Sequence, residues 1–147
     1  MSTRPKPGFT ENIKNVIINN YKNFDGRARC SEFWFFSLFL FIVDSILIAI
    51  FITLSIILSS KPKLSMLKFI PLGILGLFNL SIFCPAIALG IRRLHDIGRS
   101  GHWVLLSLVP FANFYLIYLY AQDSEKEDNK YGSSPKYSIV SDDGLTE

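Results

Sequence analysis

The chain has little charge and little sulfur. Of its 147 residues only 18% are Asp, Glu, Lys or Arg, and it carries just two cysteines, Cys30 and Cys84, and two histidines, His95 and His102. A soluble domain carries roughly a quarter charged residues, so the deficit argues against one. Two cysteines exclude a disulfide framework and a cysteine-based zinc cluster. No G-x-S-x-G elbow, phosphate loop or H-E-x-x-H string occurs, so those signatures of catalysis are missing. The net charge of +3 is too small and too unevenly spread to call for a nucleic-acid partner. The first 32 residues are polar and basic. They lack the early apolar core and small-residue cleavage site of a secretory signal, so none is expected.

What the chain has is apolar length. Half of it is hydrophobic and 13 residues are Phe. A spanning helix needs about 20 mostly apolar residues, and three segments qualify. The first, 33–58, has Ser37, Asp44, Ser45, Thr53 and Ser55 as its polar side chains. The second, 69–91, contains Pro71 and Pro85 but no charge. The third, 103–121, contains Pro110 and Asn113. Pro110 either kinks a spanning helix or marks the turn of a re-entrant hairpin, and three spans are the favoured reading. Upstream, Phe9, Ile13, Val16, Ile17, Tyr21 and Phe24 recur at helical spacing opposite Lys14, Asn15, Asn19 and Lys22. This predicts an amphipathic helix over 10–24 in the headgroup layer.

The expected fold is therefore all-α: an integral membrane bundle of three transmembrane helices preceded by an interfacial helix. Residues 1–8 are expected to be disordered, 9–121 to form one membrane domain, and 122–147 to form a polar acidic tail with a local turn at 132–135 and disorder beyond Tyr137. In a three-span chain, residues 1–32 and 92–102 share one face with nine Lys and Arg, against six on the other. Basic residues favour the cytoplasm, which places the N-terminus there.

Two polar strings flank the spans on that face. One runs Phe24-Asp25-Gly26-Arg27-Ala28-Arg29-Cys30-Ser31-Glu32-Phe33-Trp34, the other Arg92-Arg93-Leu94-His95-Asp96-Ile97-Gly98-Arg99-Ser100-Gly101-His102-Trp103. With Asn129-Lys130-Tyr131-Gly132 and Pro135, they make the chain resemble a family of small bacterial inner-membrane proteins, domain of unknown function 805. The resemblance covers roughly residues 16–135 and implies a short multi-span inner-membrane protein without an assigned activity. The chain departs from the family pattern at Cys30, where the family usually has an Arg, and carries Arg29 one place earlier.

Arg27, Arg29, Arg92, Arg93 and Arg99 gather at one interface, with Glu32 and Asp96 as carboxylate partners and His95 beside them. A guanidinium fork suits carboxylates and phosphates alike. The cluster therefore reads either as a site for anionic lipid headgroups or a partner, or as a structural clasp of internal Arg–carboxylate pairs. His95 and Asp96 are adjacent on a helix and do not face each other, so they make no catalytic dyad. The spacing of His95, His102, Cys30 and Asp96 fits no metal site, and neither metal nor cofactor is expected.

Inside the membrane the polar residues line up in depth. At about 1.5 Å per residue, Asp44 lies roughly 16 Å from the shared face, Asn79 roughly 18 Å and Asn113 roughly 15 Å. Polar side chains at the midplane turn into the bundle, so these three are expected to hydrogen-bond across helices. The expected role is non-enzymatic: a membrane scaffold or accessory subunit that binds lipid headgroups or a partner through its Arg-rich face. The alternative is a small oligomeric channel or transporter component using the midplane site. Membrane lipids, further copies of the chain and another membrane protein are the candidate partners.

Overall fold

The computed structural model describes residues 2–3, 5, 7–59 and 62–138. Its first helix, α1 (Phe9–Lys14), widens into a π-helical turn over Asn15–Asn19 and ends there, short of the expected 10–24. It is docked on the bundle. Val16 is buried among Ala28, Phe36, Ile82 and Leu89, and Phe9 meets Phe35 edge-on at 5.8 Å.

Among the described residues two helices are long and apolar enough to cross a bilayer, α2 (Cys30–Leu58) and α3 (Ile70–Asp96). A 3-10 segment, Pro62–Phe69, leads into α3. Both helices extend past the apolar runs read from the sequence, α2 into residues 30–32 and α3 into residues 92–96, which carry the charged side chains. The first turn of α2 carries Glu32, and the last turn of α3 carries Arg93 and His95, the charge signs that a helix dipole favours at each end.

Pro85 sits inside α3. Proline has no N–H, so the carbonyl four residues earlier loses its helical donor, a serious cost where no water is at hand. That carbonyl belongs to Ser81, and the Tyr21 hydroxyl donates to it at 2.5 Å. The Cys84 thiol in turn donates to the Tyr21 carbonyl at 3.6 Å. The N-terminal segment thus completes the spanning helix it packs on.

The third expected span, 103–121, is not one helix. A 3-10 segment, Gly101–Leu108, and a ten-residue helix, α4 (Ala112–Ala121), are joined by a reversal at 109–111. Val109, just before Pro110, is extended (φ −101°, ψ 119°), as the residue before a proline tends to be, and Phe111 takes the left-handed conformation at φ 67°. Eight residues rising about 2.0 Å each and ten rising about 1.5 Å each give arms of nearly equal length, roughly 15 Å. The hairpin therefore comes back to the end of α3 from which it started.

Beyond α4 the tail folds over that same end. Strand β1 (Ser2–Thr3) pairs antiparallel with β2 (Tyr137–Ser138), so part of the stretch expected to be disordered at 1–8 is held by the tail, and the two ends of the described chain meet. The disorder expected after Tyr137 falls, from residue 139 onward, outside the described residues.

Candidate functional site

The Arg-rich motifs meet where α3 ends. Arg93 and Asp96 are three apart on α3 and so share a face, and Arg93 Nη1 donates to Asp96 Oδ2 at 2.6 Å. The link before α2 turns at Gly26 (φ 83°), a left-handed conformation that costs glycine little. It then docks its backbone on α3, the Ala28 amide donating to the Arg92 carbonyl at 3.0 Å. This delivers Arg27, whose Nε donates to Asp96 Oδ1 at 3.0 Å.

Arg27 has a use for every donor it owns. Besides the bond to the Asp96 carboxylate, its Nη2 donates to the carbonyls of Glu125 (2.7 Å) and Asp96 (3.2 Å). Its Nη1 donates to those of Glu127 (2.9 Å) and Gly132 (3.2 Å). A guanidinium has five N–H donors in a fixed fork, and here all five are taken. Arg93 engages each of its three nitrogens on the other side: besides the Nη1 bond to Asp96, Nε donates to the Tyr120 carbonyl at 3.1 Å and Nη2 to that of Gln122. The Arg27, Arg93 and Asp96 side chains are at most 1% exposed. A buried carboxylate between two guanidiniums is tolerable because every guanidinium nitrogen of the pair has an acceptor.

The tail closes the site from outside. The Glu125 amide donates to the Asp96 carbonyl at 3.1 Å, and Asn129 Nδ2 donates to the His95 carbonyl at 3.0 Å and to Glu125 Oε2 at 2.7 Å. These bonds satisfy carbonyls that the end of α3 leaves without helical partners. His95 is turned away from Asp96. Its Nδ1 lies 3.2 Å from the Gly26 carbonyl, which can only accept, so this nitrogen carries the proton. Its ring stacks on Tyr131 at 3.7 Å.

The other candidates are dispersed. Arg92 faces Glu32 at 3.6 Å, with no hydrogen bond to its Nε or Nη2 among the described residues. Arg29 is buried and donates to the Pro5 carbonyl at 3.1 Å. Arg99 is exposed, its guanidinium 5.7 Å over the Trp103 ring. Halfway along α2, Asp44 Oδ1 accepts from Asn79 Nδ2 at 3.1 Å. Asn113 is apart from them on the hairpin, donating to the Ser107 carbonyl at 3.4 Å. Among the described residues no group of three or more His, Cys, Asp or Glu could hold a metal ion.

The sequence reading did not reach Tyr120, Gln122, Glu125 and Glu127. Their contribution to the site is mainly a backbone carbonyl, which any residue type supplies. Tyr120 also has a second role. Its ring packs on Phe33 at 4.3 Å and lines an open, mostly apolar cavity of about 490 Å³ between α2, α3 and the hairpin, with Leu40, Phe83, Val104 and Ile117.

Comparison with known proteins gives this architecture a family. The chain is 39% identical over 122 residues to inner membrane protein YhaI of Escherichia coli K12, a match covering 82% of this chain and 92% of that one. It is 34% identical to inner membrane protein YhaH of the same strain, covering 82% and 93%. No solved structure matches it. The family model described as "Protein of unknown function (DUF805)" matches residues 21–133, which takes in both arginine strings, the two long helices and the hairpin: the chain belongs to the DUF805 family.

Proposed function

We propose that the protein is a non-enzymatic scaffold of the bacterial inner membrane that holds a lipid in its lateral cavity and presents a tail-covered face to the cytoplasm. The observation that carries this reading is the double use of Tyr120. Its carbonyl is fixed by Arg93 while its ring forms part of the cavity wall, so the clasp makes that wall rigid. The cavity volume of about 490 Å³ falls among those of small-molecule sites, about 300–1,000 Å³, and an apolar cavity flanked by spanning helices suits an acyl chain. Exposed Arg99 supplies a cation for an anionic headgroup. In this reading the clasp arginines are structural, since their donors are engaged within the chain.

The cytoplasmic orientation has a stronger basis in a hairpin than in a third span. With the hairpin dipping into the bilayer and returning, residues 1–32, 92–102 and the tail share one face. That face holds twelve Lys and Arg against three on the other, the asymmetry that marks the cytoplasmic side. A non-enzymatic role is supported by the burial of Asp96 between two guanidiniums, which occupies the carboxylate best placed for acid–base work.

The test is to purify the protein in mild detergent and identify the bound lipids by mass spectrometry. Phospholipid is expected with the native chain and lost on Ala86→Trp, which fills the cavity; Arg99→Ala is expected to lower the anionic share. Unchanged lipid in the cavity-filled variant would overturn the reading, and Asp44-dependent ion flux in reconstituted vesicles would replace it with transport.

A further inference from the structure

Asp44 is the central residue of α2, 14 residues from either end, and it is linked to Asn79 on the outside of the bundle. Asn79 is exposed and Asp44 half-buried. Asn79 has spent both N–H donors, one on Asp44 and one on the Leu75 carbonyl at 3.0 Å. Asp44 Oδ2 and Asn79 Oδ1 have no hydrogen-bond partner among the described residues. With the Asp44 carboxyl in its acid form, each copy of the chain offers one O–H donor and one amide acceptor to the lipid. Lipid can satisfy neither.

The surface around this pair is shaped for close approach. Leu72, Gly76 and Asn79 recur at helical spacing and share a face of α3. All three are exposed, and a Cβ added at Gly76, or at neighbouring Gly73, would meet nothing within 4 Å. On α2, Phe41 and Ile48 lie one turn to either side of Asp44, and both are exposed. Small residues at such a face let helix backbones pack closely in a membrane.

We propose that a second copy of this chain covers this face, related by a two-fold axis beside Asp44 and Asn79. One donor and one acceptor per copy are self-complementary under two-fold symmetry, which makes the same patch serve both sides of the interface. The Asp44 hydroxyl of each copy donates to Asn79 Oδ1 of the other. The four side chains close into a ring that satisfies the polar atoms Asp44 and Asn79 otherwise present to lipid.

The experiment is energy transfer between donor- and acceptor-labelled copies in phospholipid vesicles, over a range of protein-to-lipid ratios. The native chain is expected to dimerise. Asp44→Leu and Asn79→Leu each weaken dimerisation roughly tenfold, the factor expected for losing two interhelical hydrogen bonds. Asp44→Asn keeps an N–H donor and keeps the dimer. Gly76→Leu leaves the polar pair in place, adds bulk only to an open surface, and also weakens association. With Cys30 and Cys84 replaced by Ala, Leu80→Cys forms an intermolecular disulfide on oxidation and Tyr118→Cys, on the hairpin, does not. A native chain that stays monomeric at every ratio overturns the proposal. So do Asn79→Leu and Gly76→Leu variants that associate like the native chain.

Discussion

The Tyr21 hydroxyl donates to the Ser81 carbonyl at 2.5 Å across 60 residues of sequence, and that carbonyl is the one Pro85 leaves without its helical donor. The proline break and the tyrosine therefore act as one unit. Tyr21→Phe is expected to destabilise the native chain by about 1 kcal/mol, the usual net worth of a hydrogen bond. In a Pro85→Ala background, where the helix regains its own N–H, the same substitution is expected to cost close to nothing. Reversible unfolding of the four variants in mixed micelles measures the difference, and additive effects would show that the two residues are unrelated.

Arg27→Ala leaves the Asp96 carboxylate with one guanidinium and takes a donor from the carbonyls of Asp96, Glu125, Glu127 and Gly132. Removing one partner of a buried ion pair costs roughly 3–5 kcal/mol, and much of that loss falls on the tail. Protease cleavage after residue 121 is expected to accelerate sharply while α2 and α3 stay protected. Arg27→Lys recovers little, because an ammonium cannot reproduce the five-donor fork. A tail as resistant as in the native chain would contradict the clasp.

Topology separates a hairpin from a third span. With Cys30 and Cys84 replaced by Ala, cysteines introduced at Asn23 and Ser133 are expected to react with an impermeant thiol reagent from the same side of the membrane, and one at Leu64 from the opposite side. Labelling of position 133 together with position 64 would mean that 103–121 crosses the bilayer.

The tail also predicts a pH response. Partial burial raises the Asp123 pKa, but hydrogen bonds from Lys136, the Ser124 amide and Tyr137 outweigh it and hold the carboxyl below its usual value. Hydrogen bonds to Asp123 and Tyr137 hold Lys136 above its own. The Asp123 contribution is present above the unfolded value of about 3.9 and lost as pH falls through the lower folded one. The Lys136 contribution is present below about 10.4 and lost as pH rises through the higher folded one. Because Asp123 is largely exposed, the pair contributes at most about 1 kcal/mol. Hydrogen exchange at 136–138 is expected to show constant protection between about pH 5 and 10, weakening outside it. Asp123→Asn should remove the acid limb.

Much of the arginine cluster was legible in the sequence because charge beside an apolar run is conspicuous. Asp96 and Glu32 stood out as carboxylates within reach, and the structure brings them to Arg27, Arg93 and Arg92. Asp44 and Asn79 were legible by depth, since counting residues along two helices brings both to the midplane. The same count does not carry Asn113 to them, because it assumed a straight helix where Pro110 allows a reversal. Docking of α1 on the bundle was not legible either. The amphipathic pattern shows that one face is apolar but not whether lipid or protein covers it.

The sequence by itself determined that this is a membrane protein with two long apolar helices and a basic face, because hydrophobic length and charge placement are local properties of the chain. Only the tertiary structure decided what the arginines do and where the third apolar segment goes. Arg27 and Arg93 find mostly backbone carbonyls, which are the same whatever side chain they carry and leave no mark in the sequence. A proline permits both a kink and a turn, and the choice falls to the contacts that bring the end of α4 back to Arg93.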